Sequence, residues 1–206
     1  MSKLKNIVVF TDGSCMNNGK KYAIGGIGIH FPHGEFKDIS RLFTKGCCTN
    51  QRTELYAILY AIKYIDVKLG LKNCSVYICT DSQYSINCIT KWVPSWIKKN
   101  WMTKNNTPVA NREFIEPIYK YYNKYNITFE HIEAHTGGID SDSIANARAD
   151  FLATQATKKA FAENKIRGSK TNNYGKNNYG KNNYRTHNYR NKPNVDDDII
   201  IELVKK

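Results

Sequence analysis

Four acidic residues stand where an acid is costly. Asp12 follows the apolar run VVFT (8–11), and Asp81 follows VYICT (76–80). Each sits at the expected exit of a buried strand. Glu54 opens a helical pattern in TNQRTELYAI (49–58), one turn ahead of Ile58, and Asp150 lies among small residues in NARADFLA (146–153). Singly, each has an ordinary use: turn residue, helix cap, dipole complement, surface charge. Jointly they predict something else. If the strands ending at Asp12 and Asp81 are neighbours, the two acids meet, and Glu54 and Asp150 reach them from flanking helices. Crowded carboxylates raise one another's pKa unless cations neutralise them. Hard divalent ions take oxygen ligands, and Mg²⁺ is the usual choice at phosphate chemistry. Two such ions about 4 Å apart clamp the attacking and leaving oxygens of a phosphodiester.

The elements that must position these acids follow from periodicity. Residues 5–12, 22–30 and 35–44 read as strands of an antiparallel meander, with a turn at Pro32-His33-Gly34. Leu55, Ile58, Leu59, Ile62, Ile65 and Leu69 form one helical stripe over residues 51–69, with Gly70 as the stop. Strands are expected at 74–80 and 127–132, and helices at 82–91, 113–123 and 143–164. The Trp- and Lys-rich stretch 92–112 is expected to be broken by Pro94 and Pro108. The order β-β-β-α-β-α-α-β-α predicts an α/β fold with a five-stranded mixed sheet and flanking helices.

The 206 residues suffice for one domain with an appendage, and the formal charge of +13 indicates a polyanionic partner, unless it only reflects a Lys- and Asn-rich composition. No apolar run approaches the ~20 residues of a membrane span, and MSKLKNIVVF lacks a signal peptide's features. A cytoplasmic or nuclear protein away from membranes is expected. The six cysteines show no zinc spacing and read as reduced thiols. Residues 1–164 are expected to form the folded domain. Residues 165–194, with Tyr174, Tyr179, Tyr184 and Tyr189 repeating every five positions among Lys and Arg, read as a disordered basic linker. Residues 195–206 form a short acidic-aliphatic end.

The segments FTDGS…NNG (10–19), TNQRTEL (49–55), TDSQYSINCITKW (80–92) and AHTG…NARADFLA (134–153) together resemble a cellular type 1 ribonuclease H, over about residues 5–160. TNQR and ITKW are closer to the eukaryotic branch. The resemblance implies the ribonuclease H fold and Mg²⁺-dependent endonucleolytic hydrolysis of the RNA strand of RNA–DNA hybrids, with two ions, Mn²⁺ as a substitute, and a 5′-phosphate product. By motif, Asp12, Glu54, Asp81 and Asp150 are the catalytic, metal-binding carboxylates, and His135 is the histidine that assists proton transfer or product release. Asn18, Asn50 and Gln51 match the readers of the RNA strand, where 2′-hydroxyl contacts are needed. Thr49, Trp92 and Asn111 match the contacts to the DNA strand.

Two departures stand out. Cys47 occupies a position where arginine is often found, which predicts a weaker DNA-phosphate pocket or a neighbouring cation in its place. The segment TGGIDSDSIANARA (136–149) is longer than the usual loop and adds Asp140 and Asp142, either near the metal region or as solvated loop acids. With the catalytic strand beginning near residue 5, the N-terminal hybrid-binding domain of many eukaryotic relatives is expected to be absent. The basic tail either substitutes for one by counterion release or is an inert expansion. Asp196–Val204 resembles a SUMO-interacting motif and is expected to bind a protein partner weakly. The protein is expected to act as a monomer. A non-catalytic nucleic-acid-binding module is the competing class, and the complete acid set argues against it.

Overall fold

The computed structural model describes residues 4–133 and 139–171. Five strands form one sheet in the order β3-β2-β1-β4-β5. They are β1 (Lys5–Met16), β2 (Ile24–His30), β3 (Ile39–Leu42), β4 (Cys74–Thr80) and β5 (Ile127–His131). The first three form the antiparallel meander, and β4 and β5 join β1 in parallel. Parallel neighbours need crossovers, which the helices supply. They are α1 (Asn50–Leu69), α2 (Gln83–Asn87), α3 (Val93–Lys98), α4 (Arg112–Lys124) and α5 (Ser141–Thr171).

Two helices fix the layers. On one face α1 packs on β1 and β2 with α4 beside it, and on the other α5 crosses β1, β2 and β3. Thr49 caps α1 by accepting the Arg52 amide on its hydroxyl, and Gly70 ends it at φ 73°. The apolar stripe expected for α1 is buried from Leu55 to Ile65, with Leu69 half-buried at its end, against a core that includes Ile7, Val9, Ile27, Ile29, Val76 and Ile78 of the sheet. Each such side chain contributes about 1.5–3 kcal/mol by leaving water.

Four boundaries differ from the periodicity. β1 runs on through Met16 because its antiparallel partner β2 still pairs with it. β3 is only Ile39–Leu42, since Phe36 leaves the sheet to pack edge-on against Phe31 and Tyr64. Pro94 does not break the helix after Asp81. A π-turn (Cys88–Trp92) joins α2 to α3, and Pro94 sits in the first turn of α3, where its missing N–H costs nothing. Finally, α5 continues through Thr171, past the expected end at residue 164. Residues 172–206, with most of the basic repeat and Asp196–Val204, lie outside the described residues. Among the described residues no helix is long and apolar enough to cross a membrane.

Candidate active site

The parallel β1–β4 pairing ends at Phe10 and Cys79. Beyond it the strands part, and Asp12 and Asp81 stand on either side of the opening. Asp12 is therefore within β1, opposite Gly28 of β2, rather than at the strand's end. Asp81 does directly follow β4.

Two glycines bring the helices in. A Cβ at Gly13 would lie 2.2 Å from the Glu54 amide nitrogen. A Cβ at Gly28 would lie 2.0 Å from the Ala149 carbonyl oxygen. Side chains at either place are sterically excluded, so the backbones of α1 and α5 rest directly on the sheet. The first contact sets Glu54 beside Asp12, and the second sets Asp150 there from the opposite face. Gly13 thus serves close approach within a strand, not the turn its sequence context suggests.

Asp12, Glu54, Asp81 and Asp150 line one cleft of about 520 Å³, with Asn50, Glu133, Ser143 and Asn146. Asp12 is 7% exposed. Burial, then the negative charges of Asp81, Asp150 and Glu54, push its pKa up to about 7, against a Gly13 hydrogen bond that lowers it. Glu54 is raised by burial and by Asp81, with a hydrogen bond from Ser82 opposing.

The acids are held by donors the motifs did not reveal. Ser82 caps α2 and donates its hydroxyl to Glu54 Oε2. Asn146, one turn before Asp150, donates from Nδ2 to Asp81 Oδ2 at 3.4 Å, while its Oδ1 is buried without a partner. Thr154 donates to Asp150 Oδ1 at 3.3 Å. With each carboxylate turned toward its own donor, no group of three or more His, Cys, Asp or Glu among the described residues is drawn tightly enough together to hold a metal ion. The donor set itself, four carboxyl groups with Asp12 raised to about 7 among the other three, suits a hard divalent cation.

Of the other expected residues, Asn18 and Asn50 come together, the Asn50 amide donating to Asn18 Oδ1 at 3.4 Å, and Gln51 is exposed beside them. Thr49 and Asn111 are linked through Arg52, whose Nη1 donates to Asn111 Oδ1 and to Glu113 and whose guanidinium lies 4.8 Å above Phe114. Cys47 is exposed, and the Arg52 guanidinium, which also donates to the Lys45 carbonyl, is engaged by Glu113. Asn111 Nδ2 donates to the Tyr84 hydroxyl, and Tyr84 meets Trp92, which is 39% exposed. Trp96 and the buried Trp101 continue the row as anchors, with Arg112 stacked on Trp101 at 4.7 Å. Asp140 accepts the amides of Asp142 and Ser143 and caps α5, and Asp142 lines a separate cleft, so neither joins the four acids. His135 lies outside the described residues.

The family model for RNase H matches residues 4–158. The chain belongs to the ribonuclease H family. Its ribonuclease H relatives are viral, bacterial and eukaryotic. The chain is 53% identical over 202 residues to a probable ribonuclease H of Acanthamoeba polyphaga mimivirus, covering 92% of this chain and 88% of that one. It is 34% identical to a ribonuclease H of Clostridium botulinum, over 74% of this chain and 96% of the relative. It is 32% identical to ribonuclease H1 of Mus musculus, over 76% of this chain and 52% of the relative. Bacterial and eukaryotic relatives are thus about equally similar. Among solved ribonuclease H folds, LC9-RNase H1, a type 1 enzyme with the type 2 active-site motif, superposes with a TM-score of 0.59 at 23% identity, covering 77% of this chain and 75% of that one. The PFV RNase H domain superposes with a TM-score of 0.57 at 24% identity, over 76% and 96%.

Proposed function

We propose that this ribonuclease H cuts the RNA strand of RNA–DNA hybrids internally, depends on Mg²⁺, and leaves a 5′-phosphate. The observation that carries the reading is Asp12, buried in the cleft and raised to about 7 by its surroundings, three other acids among them. A fold that buried this much unneutralised charge for packing alone would gain nothing from it. Asp12, Glu54, Asp81 and Asp150 would hold the ions. When bound, two Mg²⁺ ions supply the positive charge for activating a water and for stabilising the leaving oxygen.

The chain's own residues do the rest. Ser82 and Asn146 orient Glu54 and Asp81. Asn18, Asn50 and Gln51 present neutral amides that donate to and accept from 2′-hydroxyls. Thr49 and Asn111 take a DNA phosphate, and Trp92 packs on the deoxyribose side. His135 moves a proton or eases product release.

Labelled RNA–DNA hybrid, double-stranded RNA and single-stranded RNA are incubated with intact protein and Mg²⁺, beside an Asp81→Asn control. Cleavage confined to the hybrid, lost with chelator and in the control, is expected. Intact protein that leaves the hybrid whole refutes the proposal.

A further inference from the structure

Two of the six cysteines meet beside the cleft, in no role given so far. Cys15 lies on β1, three residues beyond Asp12, is half-buried and lines the cleft. Cys48 is buried and directly precedes Thr49, the cap of α1. Its thiol is directed at Cys15, with the sulfurs 3.0 Å apart. Gly25, which stands opposite Cys15 in the β1–β2 register, makes the seat: a Cβ there would fall 2.5 Å from Cys48 Sγ. A disulfide needs about 2.05 Å between sulfurs, so closure takes a movement of only ~1 Å.

We propose that Cys15 and Cys48 form a reversible disulfide under hydrogen peroxide, and that closing it changes how tightly the hybrid binds. Cys15, open to the cleft, is oxidised first: its thiol and one peroxide give the sulfenic acid and one water. Cys48 sulfur then attacks that sulfur, the S–O bond breaks, and the Cys48 proton leaves with the hydroxyl as a second water. In total the two thiols lose two electrons and two protons, and the peroxide becomes two waters. Burial and the Cys15 thiol push the Cys48 thiol up, which disfavours its direct oxidation and leaves Cys15 as the first to react.

The bond ties the end of β1 to the entrance of α1. The same two segments carry Asn18 and Asn50, joined in the reduced protein by the Asn50 amide. Drawing Cys48 toward β1 shifts Thr49 and Asn50 with it. The four acids are held separately, Glu54 and Asp150 against Asp12 through Gly13 and Gly28, and Asp81 at the end of β4. Oxidation should therefore act on KM rather than kcat. This consequence rests on the reading of Asn18 and Asn50 as hybrid contacts.

The test uses the full chain carrying Cys47→Ser, which removes the adjacent exposed thiol. After peroxide, non-reducing tryptic digestion should yield peptides 6–20 and 46–52 joined as one species by mass spectrometry. KM for the hybrid should rise about 3- to 10-fold with kcat held within about twofold, and dithiothreitol should reverse both the link and the shift. In a Cys47→Ser, Cys48→Ala protein the oxidised-to-reduced KM ratio should be one. Absence of the joined peptides overturns the proposal, as does a joined protein with unchanged KM, or one whose kcat falls in step. A reduced protein that neither binds nor cuts hybrid defeats the functional reading instead, while the joined peptides are scored without any activity.

Discussion

At the scale of single residues, the cleft concentrates acid that the folded chain must pay to keep. Asp12 takes up a proton near pH 7 in the fold and near 3.8 in the open chain. Between those values the folded state holds more protons than the unfolded one, so stability falls as pH rises. Glu54, also raised, acts in the same direction. Metal-free protein is therefore expected to lose stability between pH 4 and 8, with a ceiling of about 4 kcal/mol from Asp12 alone. Thermal melts in chelator across that range measure it, and a melting temperature that rises with pH would contradict the account. The same repulsion predicts opposite effects for Asp81→Asn. Cleavage should drop more than ~100-fold, while the melting temperature without metal at pH 8 should rise by about 2–4 °C per kcal/mol relieved. Mg²⁺ at pH 8 should stabilise the parent protein more than this variant. Asn146→Ala should weaken cleavage without such a gain, because it frees Asp81 from its amide and leaves the charge in place.

Secondary-structure elements make the site by backbone contact. Gly28→Ala would place a methyl group against the Ala149 carbonyl, and the neighbouring Ala153 amide is only 2.6 Å from the same point. Since α5 cannot yield locally, the variant should lose about 3 kcal/mol or more and shift Asp150 off the cleft. Circular dichroism and denaturant melts should show a folded but weaker protein with little cleavage, and normal activity would refute the role given to this contact. These contacts also explain what was legible beforehand. The acids could be picked out because an Asp after VVFT or VYICT breaks a buried run, and α1 because six apolar residues keep one stripe from Leu55 to Leu69. A mixed five-stranded sheet followed from the alternation of strands and helices, whereas the adjacency of β1 and β4 entered only as a condition. Ser82, Asn146 and Thr154 were invisible as partners, for they touch the acids across distant elements, and small polar residues on a helix carry no periodic signal. An i−4 offset from Asp150 was the one available hint for Asn146. The extended end of β1 was hidden because GSCM breaks the Val/Ile run while β2 still supplies hydrogen bonds.

For the molecule as a whole, charge is unevenly placed: acids crowd one cleft on a chain of net +13. Beyond Thr171 the sequence adds Lys176, Lys181, Arg185, Arg190 and Lys192. If these meet phosphates, deleting residues 172–206 should raise KM for the hybrid and flatten its salt dependence, by up to about 0.9 in the log–log slope per cation lost. Unchanged kinetics from 50 to 200 mM salt would remove the tail from recognition. The paired glycines have a broader consequence. A site spaced by side-chain packing drifts whenever the core is repacked. Here Glu54 and Asp150 are spaced from Asp12 by main chain lying on main chain. Leu-to-Val or Ile-to-Val exchanges beneath α1 should soften the protein while the turnover of the folded fraction stays level. Thermal tolerance and catalytic tuning can then be selected independently, and the interior is free to diverge between relatives that keep the same chemistry.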